Sequence, residues 1–143
     1  RDLSLGGAYF TERLAGQRGV TIEAGEDLKT TAAPDDKGDL DLQAELQSTS
    51  EEFAEEIQRM VSLYGAVGSG EGEGLNAIYL SGGGAQLTGL CALLEARMGV
   101  PARLSEPFRG FNLARNIDRD YLLRMAPYFA IGAGLSIRRP GDR

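Results

Sequence analysis

The sequence has 143 residues, a net charge of −6, no histidine and a single cysteine, Cys91. At this length one domain is the natural expectation, and 42% apolar with 25% charged residues is ordinary for a globular protein. Histidine-based triads, thiolate chemistry, the usual zinc sites and a disulfide framework are all disfavoured, a reducing cytoplasmic setting is expected, and no run of 18 apolar residues is present to span a membrane.

Arg1 to Gly7 reads as a short strand ending in Gly-Gly, followed by a helix from about Tyr9 to Gln17 with Gly19 as its C-cap. Thr21 caps a second helix with acids in its first turn, and this helix carries Glu26 and Lys29 three residues apart on one face. Residues 32–38 form a Pro/Asp/Gly loop, and Asp39 to Gln47 a short helix. Ser48 and Glu51 have the spacing of a capping box, which predicts a fresh helix start. Phe53, Ile57, Met60, Val61 and Tyr64 then recur at helical spacing and read as a core stripe. A Gly/Ser/Glu-rich loop covers Gly65 to Gly74.

Asn76 to Leu80 reads as a buried strand running into Gly82-Gly83-Gly84, with a helix lined by Leu87, Leu90, Cys91, Leu94 and Met98 following at once. Gly99 ends that helix, and Pro101 to Leu104 is the next strand, which makes a βαβ unit with a parallel pair. Phe108 to Asn116 is a loop, a short helix follows Asp118, and Pro127 fits the first turn of the last helix. Charge is uneven. Twelve acids against two lysines fall in residues 23–56, and nine arginines against four acids in 97–143. The acidic stretch is a solvated face or a surface that docks on basic partners. No basic stripe interleaved with aromatics points to nucleic acid.

The glycine turn is the main chemical signal. Glycines let a ligand approach the backbone, and the first N–H groups of a helix favour an anion. The spacing is not that of a dinucleotide fingerprint, because Leu87 stands at the third glycine position, and not that of a Walker A loop, because Leu90 and Cys91 follow Gly89. Two readings stay open: a turn that needs glycine for packing, and one that takes the phosphate or flank of a nucleotide. Likewise Glu26 and Lys29 are a surface pair or part of a binding site.

In chain order, Arg1-Asp2-Leu3-Ser4-Leu5-Gly6-Gly7, Gly25-Glu26-Asp27-Leu28-Lys29, Ile78-Tyr79-Leu80-Ser81-Gly82-Gly83-Gly84-Ala85-Gln86-Leu87-Thr88-Gly89-Leu90, Val100-Pro101-Ala102-Arg103-Leu104, and Gly132-Ala133-Gly134-Leu135-Ser136-Ile137-Arg138 resemble the C-terminal half of the actin-like ATPase superfamily. Within it they are most similar to the PilM family of type IV pilus assembly. One departure is Gly25, where the family pattern usually has alanine, at a helix-propensity cost of about 1 kcal/mol.

The resemblance implies an α/β fold: the second, C-terminal lobe of an actin-like, ribonuclease H-like ATPase, incomplete at its N-terminus. The lobe would comprise residues 1–32 and 49–143, with a small inserted helical subdomain at 33–48. A first lobe and an Asp-centred phosphate loop are expected upstream of Arg1. The implied ligand is ATP, with Mg²⁺ and the phosphate-side ligands outside these residues. Glu26 would accept hydrogen bonds from the ribose hydroxyls. Lys29 would lay its stem along the purine with its charge outward. Gly82, Gly83 and Gly84 would let base and α-phosphate lie against backbone, and Gln86 would reach the base. No catalytic residue and no metal ligand is expected here.

The implied role is a cytoplasmic ATP-binding scaffold, peripheral to the bacterial inner membrane through a protein partner. That partner would be the cytoplasmic tail of a PilN-like bitopic membrane protein, held by the missing lobe, with pilus ATPase contacts as a further option. Neither nucleic acid nor direct membrane insertion is expected. Three alternatives share parts of the pattern: an FtsA-like cell-division scaffold, an actin-fold sugar or metabolite kinase, and a structural unit without a ligand site.

Overall fold

The computed structural model describes residues 5–31, 39–68, 75–139 and 141. Most of the expected first strand, the loop at 32–38 and the loop residues 69–74 lie outside them. Helix α1 spans Gly7–Arg18 and α2 Ile22–Thr31. Gly19 closes α1 at φ 64°, where its N–H bonds the Ala15 carbonyl. Thr21 caps α2 by accepting a bond from the Ala24 N–H at 3.3 Å.

Helix α3 spans Leu40–Gly68 without a break, and this corrects two expectations. No new helix starts at Ser48, and residues 65–68, expected in a glycine-rich loop, belong to the helix. The physical reason lies in the buried hydroxyls. Thr49 donates to the Glu45 carbonyl and Ser50 to the Leu46 carbonyl, both at 2.8 Å, so these residues satisfy themselves inside the helix rather than capping one. Glu51 accepts from Gln47 at 3.0 Å instead of closing a capping box. The true cap is Asp39, whose Oδ1 accepts from the Leu42 N–H at 2.9 Å. The described part of the expected 33–48 subdomain is therefore the first turns of α3, continuous with the remainder of that helix.

Strands β1 (Ile78–Leu80) and β2 (Ala102–Leu104) pair in parallel, Ile78 opposite Ala102 and Leu80 opposite Leu104, with α4 (Leu90–Met98) as the crossover. The βαβ expectation holds. The strand is not buried on both faces, however, because Tyr79 is 69% exposed. Nor does a helix follow the glycines at once. Gly83–Gln86 is a single 3-10 turn, and α4 starts only after Gly89, at φ 80°. The chain ends in α5 (Arg119–Met125, capped by Asp118 on the Tyr121 N–H at 3.0 Å), a 3-10 turn at Ala126–Phe129, and α6 (Ala130–Ser136). Pro127 thus opens that 3-10 turn and not the last helix.

The core is shared by α1, α3, α4 and the sheet. Phe10, Phe53, Ala54, Leu90, Leu94 and Ala102 form its buried centre, with Ile57, Ile78 and Leu80 packed on it. Phe10 and Phe53 meet at 5.4 Å between ring centroids. Arg18 pins the end of α1 to the start of α3. It holds both Asp39 oxygens, at 2.8 and 3.1 Å, and Glu45 at 2.7 Å. This frame brings both α2 and the glycine turn against the N-terminal part of α1, where Lys29 and Gly84 both approach Gly7.

Candidate functional site

The N-terminal turn of α1 is the floor of a cleft. One wall is α2, and the other is the glycine turn with Tyr128. The cleft has a volume of about 640 Å³, with Gly7, Thr11, Glu26, Lys29, Gly83, Gly84 and Tyr128 among its lining residues. A second compartment of about 410 Å³ continues from it. The two share Lys29, Thr30, Gly83 and Tyr128. Gln43, Gln47, Ser50, Gln86 and Thr88 line the second alone.

The first wall is held by side chains. Lys29 Nζ reaches the Gly7 carbonyl at 3.1 Å, Thr11 Oγ1 at 2.9 Å and Glu26 Oε2 at 2.5 Å. The Thr11 hydroxyl lies within bonding reach of both Glu26 and the Gly7 carbonyl. It has one proton, so it serves one of them at a time while accepting from Lys29. Glu26 is held below the usual carboxylate range, first by the hydrogen bond from Lys29 and then by that from Thr11. Its side chain is 49% exposed, whereas that of Lys29 is only 9% exposed. The ammonium of Lys29 is therefore turned inward, which corrects the expectation of an outward charge. A three-residue spacing cannot reveal that, because the acceptors that draw it in lie on another helix.

That wall also accounts for Gly25. A Cβ there would lie 2.9 Å from the Thr11 carbonyl oxygen and 3.1 Å from the Ala15 Cβ. Glycine lets α2 approach α1 closely enough for Lys29 to reach Gly7, and this offsets its helix-propensity cost.

The second wall is held by backbone. Gly82 takes φ 85°, and its N–H bonds the Pro127 carbonyl at 2.8 Å. A Cβ on Gly84 would sit 3.1 Å from the Gly7 Cα and N, and one on Gly83 would sit 2.9 Å from Tyr128 Cε1. Gly83 and Gly84 thus have a packing reason within the protein itself, and Gly82 a conformational one. Gln86 Nε2 donates to the Arg124 carbonyl at 3.1 Å.

All six expected residues thus border this cleft system or its turn. Glu26, Lys29, Gly83 and Gly84 meet in the first compartment, Gln86 opens on the second, and Gly82 anchors the turn behind them. Sequence reasoning missed Thr11 and Tyr128. Thr11 stands four residues after Gly7, one helical turn along, which is a usable signal once Gly7 is known to start a helix. Tyr128 stands beside Pro127, whose carbonyl anchors Gly82, and nothing in the local pattern marks its ring as a cleft wall.

The family model described as type IV pilus assembly protein PilM matches residues 1–140. The chain belongs to the PilM family. The PilM fold is also that of a solved structure described as a PilM-PilN type IV pilus biogenesis complex. The chain is 25% identical to it, superposes with a TM-score of 0.80, and covers 96% of its own length but 38% of that chain. The pilus-assembly expectation therefore stands over the cell-division and kinase alternatives. Among the described residues, no helix is long and apolar enough to cross a membrane.

Proposed function

We propose that this PilM-family chain contributes the C-terminal lobe of an actin-like, ATP-binding scaffold in the type IV pilus assembly platform. The observation that carries the reading is one cleft that gathers Glu26 and Lys29 from α2, Thr11 from α1 and Gly83-Gly84 from a turn more than fifty residues later. Its volume of about 640 Å³ is that of a small-molecule site. The residues fit a nucleotide. The half-exposed Glu26 carboxylate, kept ionised and oriented by Lys29 and Thr11, accepts hydrogen bonds from the ribose hydroxyls. The Tyr128 ring, 52% exposed on a buried Ala126-Pro127 step, offers a face on which a base stacks. Bound ATP would supply a triphosphate whose Mg²⁺ and phosphate ligands come from elsewhere in the protein. The residues here would bind and orient the nucleotide.

As the solved PilM chain is described in complex with PilN, a PilN-like membrane partner is the proposed tether. It would hold the scaffold at the cytoplasmic face of the inner membrane.

The test is calorimetric titration of MgATP and its 2′-deoxy analogue into the intact protein and its Glu26→Ala variant. Weaker ATP binding by the variant, with any preference for ATP over the deoxy form lost, supports the reading. Equal ATP affinity in both proteins overturns it.

A further inference from the structure

A separate groove of about 600 Å³ is lined by the 106–117 loop and α5, and it shares no lining residue with the cleft. Its walls are held in place. The loop is folded by two backbone bonds of 3.0 Å, from the Arg109 N–H to the Glu106 carbonyl and from the Phe111 N–H to the Phe108 carbonyl. The Phe108 ring lies 5.8 Å from both Phe111 and Phe129. Arg119, Leu122, Leu123 and Ala126 recur at i, i+3, i+4 and i+7, so one face of α5 and the residue after it form the facing wall. The apolar lining is open to solvent: Phe111 is 39% exposed, Ile117 44% and Leu123 50%. A concave apolar surface left open in this way marks an interaction site.

Charge selects the occupant. The described cations up to Arg97 all have a carboxylate partner: Arg13, Arg18, Lys29, Arg59 and Arg97 itself. Arg109, Arg115, Arg119 and Arg124 are exposed and have no such partner among the described residues. Two of them, Arg109 and Arg119, line the groove, where Glu106 is the one lining carboxylate. Asp118 is engaged in capping α5, accepting from the Tyr121 N–H. Unpaired guanidinium groups over apolar side chains are the chemistry that reads carboxylates flanking an apolar anchor. The volume admits the side chains of a short segment and not a folded surface. We propose that this groove docks a short acidic, apolar segment of another protein. Its aliphatic or aromatic side chains sit on Phe111, Leu113 and Leu123, and its carboxylates meet Arg109 and Arg119. The proposal stands apart from the nucleotide reading, because the two sites share no residue.

The experiment places the photo-crosslinker p-benzoylphenylalanine at Leu113 of the intact protein in its own cells, and at Thr31, an exposed position on α2, as the control. Mass spectrometry of the joined peptides identifies the occupant. A crosslink from Leu113, and not from Thr31, to an acidic, apolar segment of another protein is expected. A synthetic peptide of that segment, followed by fluorescence anisotropy, should bind wild type and lose about ten-fold in affinity to an Arg109→Glu, Arg119→Glu double variant, the scale of two ion pairs turned to repulsion. The same peptide with its acids changed to lysine should prefer the double variant. Melting curves of the two proteins should coincide, since both arginines are exposed and unpaired. Crosslinks to a second copy of this chain, to another part of the same chain or to a segment without acids would overturn the proposal. So would no crosslink at all, or a peptide affinity that ignores the charge reversal.

Discussion

The two walls of the cleft are built on opposite plans. The α2 wall is a network of side chains: an ammonium, a hydroxyl and a carboxylate that Lys29, Thr11 and Glu26 bring together over the Gly7 carbonyl. The glycine wall has almost no side chains. It is defined by what is missing, a Cβ at Gly83 and at Gly84, and by the backbone bond from Gly82 to Pro127. A side-chain wall can be retuned by single substitutions and by pH. A backbone wall responds to volume alone. The response of each glycine then depends on whether its neighbour is backbone, which cannot yield, or a side chain, which can.

The largest effect is expected at Gly25. A side chain there meets the Thr11 carbonyl oxygen and Ala15, so α2 must move as a whole. Gly25→Val should cost about 1–3 kcal/mol by urea unfolding, the range for overpacking a tight contact. It should also weaken ATP binding, because Lys29 is carried away from Gly7. A wild-type midpoint would mean that the α1–α2 approach is looser than its distances indicate.

Next is Thr11→Val, which keeps the shape and removes the hydroxyl. Thr11 is 2% exposed, and the Lys29 ammonium then loses an acceptor it cannot replace with water. The expected loss is about 1–2 kcal/mol. Thr11→Ser, which restores the hydroxyl, should recover most of it. If serine is destabilised and valine is not, methyl packing and not hydrogen bonding holds this wall.

Gly83→Ala sharpens the contrast. The added Cβ meets Tyr128 Cε1 at 2.9 Å, but that ring is half-exposed and free to swing outward. The stability change should stay within about 0.5 kcal/mol, while ATP affinity falls because the stacking face has moved. A large stability loss would show instead that Tyr128 is locked in place.

The same contrast explains what could be read in advance. The βαβ unit, the caps at Thr21, Gly19, Gly99 and Asp118, and the residue types of the cleft follow from local chemistry: helical spacing, glycine at a left-handed position, an aspartate before a helix. The unbroken α3 was not legible, because Ser48, Thr49 and Ser50 in isolation look like a cap, and only their burial against the core turns the Thr49 and Ser50 hydroxyls back onto their own helix. The inward turn of Lys29 and the ring of Tyr128 escaped for a related reason. Each depends on a segment distant in sequence, α1 in one case and the glycine turn in the other, and no single-segment pattern encodes that meeting.

Acidification should separate the walls with the smallest effect of all. Glu26 is held down by Lys29 and then Thr11, Glu52 by Arg13 and then Tyr9, and Asp39 by Arg18 and then the Leu42 N–H. Each folded-state value lies below its unfolded one, near 4.5 for the glutamates and 3.8 for the aspartate. Such groups add stability that is fully present above the unfolded values and is lost as pH falls through the folded ones. The acid limb therefore starts below about pH 4.5 and deepens towards pH 3. It should be shallow, because these carboxylates face solvent and their ion pairs are screened. Urea midpoints from pH 7 down to 3 should show it, and Glu26→Gln should flatten one part of the limb. Gly83→Ala should leave the limb unchanged, since the bonds that hold its wall carry no titrating group. Superimposable profiles for wild type and Glu26→Gln would mean that the Lys29 contact adds nothing to stability, and that the network serves to orient the carboxylate alone.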